Sequence, residues 1–173
     1  MKSRIATLTA LLALLTISPA FAKSVKRPTP AQMRAAVARA ERSKNLWATV
    51  NICDTRHHPN MIGIRGQMPA LGFPASLTMI IKLDYYSLKT AGFRPVPHVR
   101  MRDSLGTAST GFHQAGGIFP FKPPVAPLSG TITFQWRIGK RLLGQATRLT
   151  GHGYKGVDNG DPPGTSHAVC RIS

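Results

Sequence analysis

The chain has 173 residues, with 23 lysines and arginines against 6 aspartates and glutamates, for a formal net charge of +17. So strong an excess draws a protein toward anionic surfaces such as nucleic acid, wall polymers or lipid head groups, and carries no information about fold. Glu41 is the sole glutamate, so a glycosidase-type pair of carboxylates is hard to assemble.

Residues 1–22 read as a secretory signal peptide. Lys2 and Arg4 supply the basic n-region, Ile5 to Ile17 the apolar run, and Ala20-Phe21-Ala22 the A-x-A cleavage signal, preceded by Pro19. The run is shorter than the roughly 20 residues a spanning helix needs, so cleavage after Ala22 is expected in preference to retention as an anchor. No later segment comes close to spanning a bilayer. On this reading the mature chain is secreted or extracytoplasmic, has 173 − 22 = 151 residues, and loses only Lys2 and Arg4 from its charge. That length lets a single domain bury about 70 percent of its unfolded surface.

Residues 23–45 read as a basic leader and an amphipathic helix. Thr29, Pro30 and Gln32 have the spacing of N-cap, N1 and N3 in a capping box. Met33, Ala36, Val37 and Ala40 then share one face of a helix reaching Lys44. The face is thin and rich in alanine, so the helix is expected to be loosely attached. Lys26, Arg27, Arg34, Arg39, Arg42 and Lys44 make it a cationic arm, the expected contact to anionic envelope polymers or another envelope protein.

From Trp47 the hydrophobic period becomes two, marking residues 46–173 as one β domain. Leu77, Met79, Ile81, Leu83 and Tyr85 alternate with Thr78, Lys82 and Asp84, and Ile132, Phe134, Trp136 and Ile138 alternate with Thr131, Thr133, Gln135 and Arg137. Segments 47–55, 61–69, 98–102, 116–122, 141–150 and 166–172 are shorter or noisier candidates. Clusters such as GFPAS, FRPVP, KPPVAPLSG and DNGDPPG separate them. About seven strands without a second helical pattern predict an all-β, immunoglobulin-like antiparallel β-sandwich.

Trp136 on its alternating strand, the turn through Ile138-Gly139-Lys140-Arg141 and a closing strand holding Cys170 resemble small secreted immunoglobulin-like or fibronectin type III-like domains. More narrowly, VNICDT, IGIRGQMPALG, GTITFQWRIGK and DPPGTSHAVCRI resemble a group of uncharacterised exported actinobacterial proteins, over about residues 47–173. The resemblance implies a fold and an address rather than a reaction. It is imperfect, because the antibody pattern places its tryptophan soon after the first cysteine, and here Trp136 follows Cys53 by 136 − 53 = 83 positions.

Cys53 and Cys170 are the only cysteines. An even pair in an oxidising compartment predicts a disulfide, here joining the first strand to the last. The stretch CDTRHHPN, residues 53–60, could instead be a metal or catalytic site. His57 and His58 with Met61 would suit a copper carrier, and with Cys53 and Asp54 a zinc site, but a cysteine sealed in a disulfide cannot ligate. The plainer expectation is a polar turn broken by Pro59-Asn60, with no metal and no cofactor. Asp158, Asn159 and Asp161 offer oxygens to calcium, without the alternating pattern of an EF-hand loop. Nucleophile-elbow, zincin, P-loop and dinucleotide patterns are missing, so no nucleotide is expected. The resulting expectation is a secreted, non-catalytic binding or structural module. A periplasmic-type copper or zinc carrier is the first alternative, and a small secreted hydrolase the second.

Overall fold

The computed structural model of the chain describes residues 27–123 and 126–172. The expected signal peptide over residues 1–22, the first part of the leader and Lys26 lie outside the described residues.

The single helix, α1 (Pro30–Glu41), starts where its capping box is written. The backbone N–H of Gln32 donates to Thr29 Oγ1 at 3.3 Å, and the Thr29 N–H donates to Gln32 Oε1 at 2.8 Å. Ala36, Val37 and Ala40 are buried, while Arg34 and Arg39 face solvent. The strands follow as β1 (Trp47–Cys53), β2 (Met61–Pro69), β3 (Ala75–Ser87), β4 (Gly92–Ala108), β5 (Phe112–Pro120), β6 (Leu128–Ile138) and β7 (Arg141–Gly151). Val37 of the thin helical face docks against Gly144 of β7, where a Cβ would collide with it. The helix is thereby part of the same hydrophobic cluster as the strands.

The fold is all-β apart from this helix. Its strand order is β4-β3-β6-β7-β1-β2-β5, in which β2 pairs with β5 and β3 with β6 across sequence neighbours. This divides into a layer β5-β2-β1 and a layer β4-β3-β6-β7. The layers meet through a short β1–β7 pairing, Ala48↔Thr150 and Thr49↔Gly151, which is parallel. The fully antiparallel arrangement expected from the sequence is corrected here. No hairpin ties the first strand to the last, so nothing imposes the antiparallel direction on that pair.

Facing side chains interlock through glycines. Ile64 of β2 fills the place where a Cβ on Gly130 of β6 would stand, and Ile132 Cδ1 would lie 2.7 Å from a Cβ on Gly66 of β2. Around these notches pack Leu77, Met79 and Ile81 of β3 and Phe134 and Trp136 of β6, all fully buried. The Trp136 indole N–H donates to the Pro69 carbonyl at 2.8 Å, satisfying its one polar group inside the core.

The strand expected over 166–172 does not form. Past β7 the chain runs as an irregular segment that meets the sheet only at isolated bridges, Ile52↔Asp161, Val50↔His167 and Leu128↔Cys170. Pro162-Pro163-Gly164 interrupts any ladder there. This segment lies over the outer side of β1, which explains why β1 is buried on both faces rather than alternating. Cys53 at the end of β1 is bonded to Cys170, with Cα atoms 5.3 Å apart across a sequence separation of 117. The disulfide is the expected one, and its second half sits after the last strand rather than on it.

Candidate functional site

The turn CDTRHHPN becomes a compact knot at one end of β1. Asp54 and Asn60 both adopt positive φ, 45° and 57°, and the Asn60 N–H donates to Asp54 Oδ1 at 2.7 Å. Thr55 Oγ1 accepts from the His58 N–H at 3.1 Å and donates in turn to Asp161 Oδ2. His58 Nδ1 lies 2.9 Å from Asp161 Oδ2, and His57 Nδ1 lies 3.5 Å from Asp161 Oδ1. One carboxylate from the C-terminal segment thus gathers three side chains of the first turn. The Thr55 hydroxyl, followed by His58, holds the Asp161 carboxyl below the usual aspartate range.

Nitrogens on the near side of both imidazoles are spent on Asp161, so the remaining ring nitrogens lie on the far edges of the two rings. Among the described residues no three His, Cys, Asp or Glu side chains gather as a metal would require. Met61 begins β2 opposite Pro120 and does not line the cleft described below. Thr55 and His58 both bond to the carboxylate, so Thr55 is not presented to an imidazole as a nucleophile would be. Of the three residues named above for calcium, Asp158 and Asn159 accept from Asn51 Nδ2 through their backbone carbonyls at 3.3 and 2.8 Å, and the Asp161 carboxylate is engaged by the histidine turn.

Beside this knot a cleft of about 620 Å³ opens on the outer face of the β5-β2-β1 layer. Its walls are the histidine turn on one side and Asn159–Pro163 on another, with Ile52 and Ile118 as apolar flanks. Gly116 of β5 and the backbone of Gly117 line its floor. Arg65 of β2 is paired in register with Gly116, and a Cβ there would lie 3.2 Å from Arg65 Nε. The absence of a side chain at position 116 lets the arginine lie across β5. Sequence reasoning missed Arg65, whose only signal was a charged residue amid the glycines of MIGIRGQMP.

A second cationic feature occupies the outer face of the β4-β3-β6-β7 layer. Lys82 is paired with Arg100 and Ile80 with Arg102, and all three cations are exposed. Beside them lie polar pairs, Thr133 with Thr147 at 3.0 Å and Gln135 with Gln145 at 3.1 Å, together with apolar Ile80 and exposed Leu149 and, further along β3, the Tyr86–Phe93 pair. Asp84 is the buried exception: desolvation pushes its carboxyl above the usual range, partly offset by the Thr131 hydroxyl at 2.5 Å. Of the expected arm contacts, Arg27, Arg34, Arg39, Arg42 and Lys44 are all exposed on or beside α1. Among the described residues no lysine or arginine nitrogen lies within 4.0 Å of a carboxylate oxygen.

A disulfide is consistent with an extracytoplasmic location, and among the described residues no helix is long and apolar enough to cross a membrane.

No family model matches the chain, and no curated protein does. Its likeness to two of the solved structures that it matches is weak. One is a protein described as a beta-galactosidase from Bacteroides fragilis, at 12% identity and a TM-score of 0.37, over 60% of this chain. The chain spans 16% of that protein's length. The other is CsgH from R. palustris, at 7% identity and a TM-score of 0.31, over 59% of this chain and 89% of that one.

Proposed function

We propose that the protein is a secreted, non-catalytic binding or structural module of the cell envelope or extracellular space, exported by a signal peptide cleaved after Ala22, which engages anionic polymers. The observation that supports this reading is the positive surface, in which no described lysine or arginine forms an ion pair with a carboxylate. Cations spread over a folded surface cost electrostatic self-repulsion, which a polyanion relieves while releasing its own counterions. Lys82 of β3 stands about 5 Å across the sheet from Arg100 of β4, and Arg102 lies two positions, about 7 Å, further along β4, a row of cations able to meet successive charges of a linear chain. The Thr133–Thr147 and Gln135–Gln145 pairs beside them offer hydrogen bonds to the hydroxyls of such a polymer.

The test is retention of the purified protein on an immobilised carboxylated or sulfated polysaccharide under a sodium chloride gradient. Elution only above about 0.15 M, with a neutral polysaccharide showing no retention, agrees with the reading. Flow-through at lower salt defeats it.

A further inference from the structure

We infer that the cleft beside the histidine turn is a binding site for a compact anionic group, carboxylate or phosphate, borne on a hydroxylated and partly apolar body such as a uronic acid or a sugar phosphate, with Arg65 as its anion receptor. The inference rests on the polyanion reading only for the class of ligand; the site itself is separate from the exposed cations of the other layer.

The case begins with an unmet donor. Arg65 Nε is shielded from solvent and has no hydrogen-bond partner. A buried N–H left in that state is costly, more so on a charged group. No carboxylate lies within salt-bridge distance of the guanidinium, so nothing among the described residues fulfils the role an acid partner ordinarily takes. The planar guanidinium fork matches carboxylate and phosphate geometry, which an ammonium would not.

The surroundings then select the rest of the ligand. Asp161 is the one carboxylate lining the cleft, and both its oxygens are engaged by Thr55, His57 and His58. Its repulsion of an incoming anion is reduced by those bonds. Ile118, half exposed on the outer face, and Ile52 across Gly63 give an apolar surface, and they sit two positions along the sheet from Arg65, about 7 Å away. Gly116, by lacking a side chain, lets Arg65 lie across β5 at this end of the cleft. Beyond the isoleucines lies the histidine turn, whose far ring nitrogens can exchange hydrogen bonds with hydroxyls. Anion receptor, apolar flank and hydroxyl partners thus lie in that order along one cleft.

The experiment is a titration of the ¹⁵N-labelled protein with sodium glucuronate, inorganic phosphate and glucose in separate arms. The Arg65 Nε–Hε signal and the amides of Gly116, Gly117 and Gly160 are followed. A saturable shift with glucuronate or phosphate and none with glucose supports the inference, and the tighter of the two identifies the anion. Arg65→Gln, with its melting temperature checked against the parent, should weaken binding about tenfold or more, and Arg65→Lys should restore it only in part. No shift at about 10 mM ligand, which would saturate a submillimolar site, overturns the inference, as does an equal response to glucose. Retention on a polyanion with a silent Arg65 refutes this inference alone. A responsive Arg65 without polyanion retention refutes only the surface reading.

Discussion

Trp47 of β1 stacks on Tyr154 of the C-terminal segment, ring centroids 5.1 Å apart and planes 12° from parallel. The stack anchors the start of a segment whose other end is held by Asp161 and Cys170, so an irregular stretch behaves as a third cover over the β5-β2-β1 layer. Between those anchors Gln114 reaches out from β5, donating to the Gly156 carbonyl at 2.7 Å and accepting from the Asp158 N–H at 3.0 Å. Tyr154→Ala should cost about 1 to 3 kcal/mol by thermal unfolding and speed exchange of the Gly153 and Asp158 amides, which donate to the Ser166 carbonyl and Gln114 Oε1. Unchanged exchange at those amides would show that the segment is held elsewhere.

The disulfide closes a loop with a sequence separation of 117. Replacing Cys53 and Cys170 together by alanine should lower stability by about 2 to 5 kcal/mol in urea titrations, chiefly by freeing the unfolded chain. An effect below about 1 kcal/mol would mean that the unfolded state already holds its ends together.

Gly130→Ala places a methyl group on Ile64, and Gly66→Ala places one against Ile132 and Phe134. Each should cost about 1 to 3 kcal/mol by overpacking. Gly92→Ala is the control, because the nearest atom to its new Cβ is the Thr90 carbonyl oxygen at 3.8 Å. Equal losses at all three positions would contradict the interlock of the two layers.

Much of this fold was legible because the relevant signals are local. The capping box of Thr29 and Gln32 marks the start of α1, and MIGIRGQMP carries β2 with its observed bounds. β4 was read only over 98–102, because Pro95 and Pro97 break its pattern. In the structure they belong to an edge strand in which Val96 to Val99 bulge away from the ladder and His98 takes a φ of 61°. The final segment was misread as a strand because HAVCRI alternates as a strand would, although only isolated bridges form. The candidate site was the least legible part. Asp161 meets His58 across a sequence separation of 103, and a pairing of that range leaves no periodic trace.

Asp161 couples this tie to pH. Its carboxyl is held below the usual range in the fold, so the ionised form stabilises the native state above the unfolded value, near pH 4, and the contribution is lost as pH falls through the lowered native value. Asp161→Asn should reduce stability at neutral pH and flatten the acid limb of the stability curve. Identical acid limbs for parent and variant would remove the role assigned to this carboxylate.

The most direct test of the polyanion reading compares three forms of the protein on one immobilised anionic polysaccharide: the parent, Lys82→Gln/Arg100→Gln/Arg102→Gln, and Arg34→Gln/Arg39→Gln/Arg42→Gln. Affinity is measured at several salt concentrations. Binding by the parent should weaken steeply with salt, and each triple variant should bind more weakly at low salt and show a shallower slope. A parent that binds equally at all salt concentrations, or triple variants indistinguishable from it, would contradict the account.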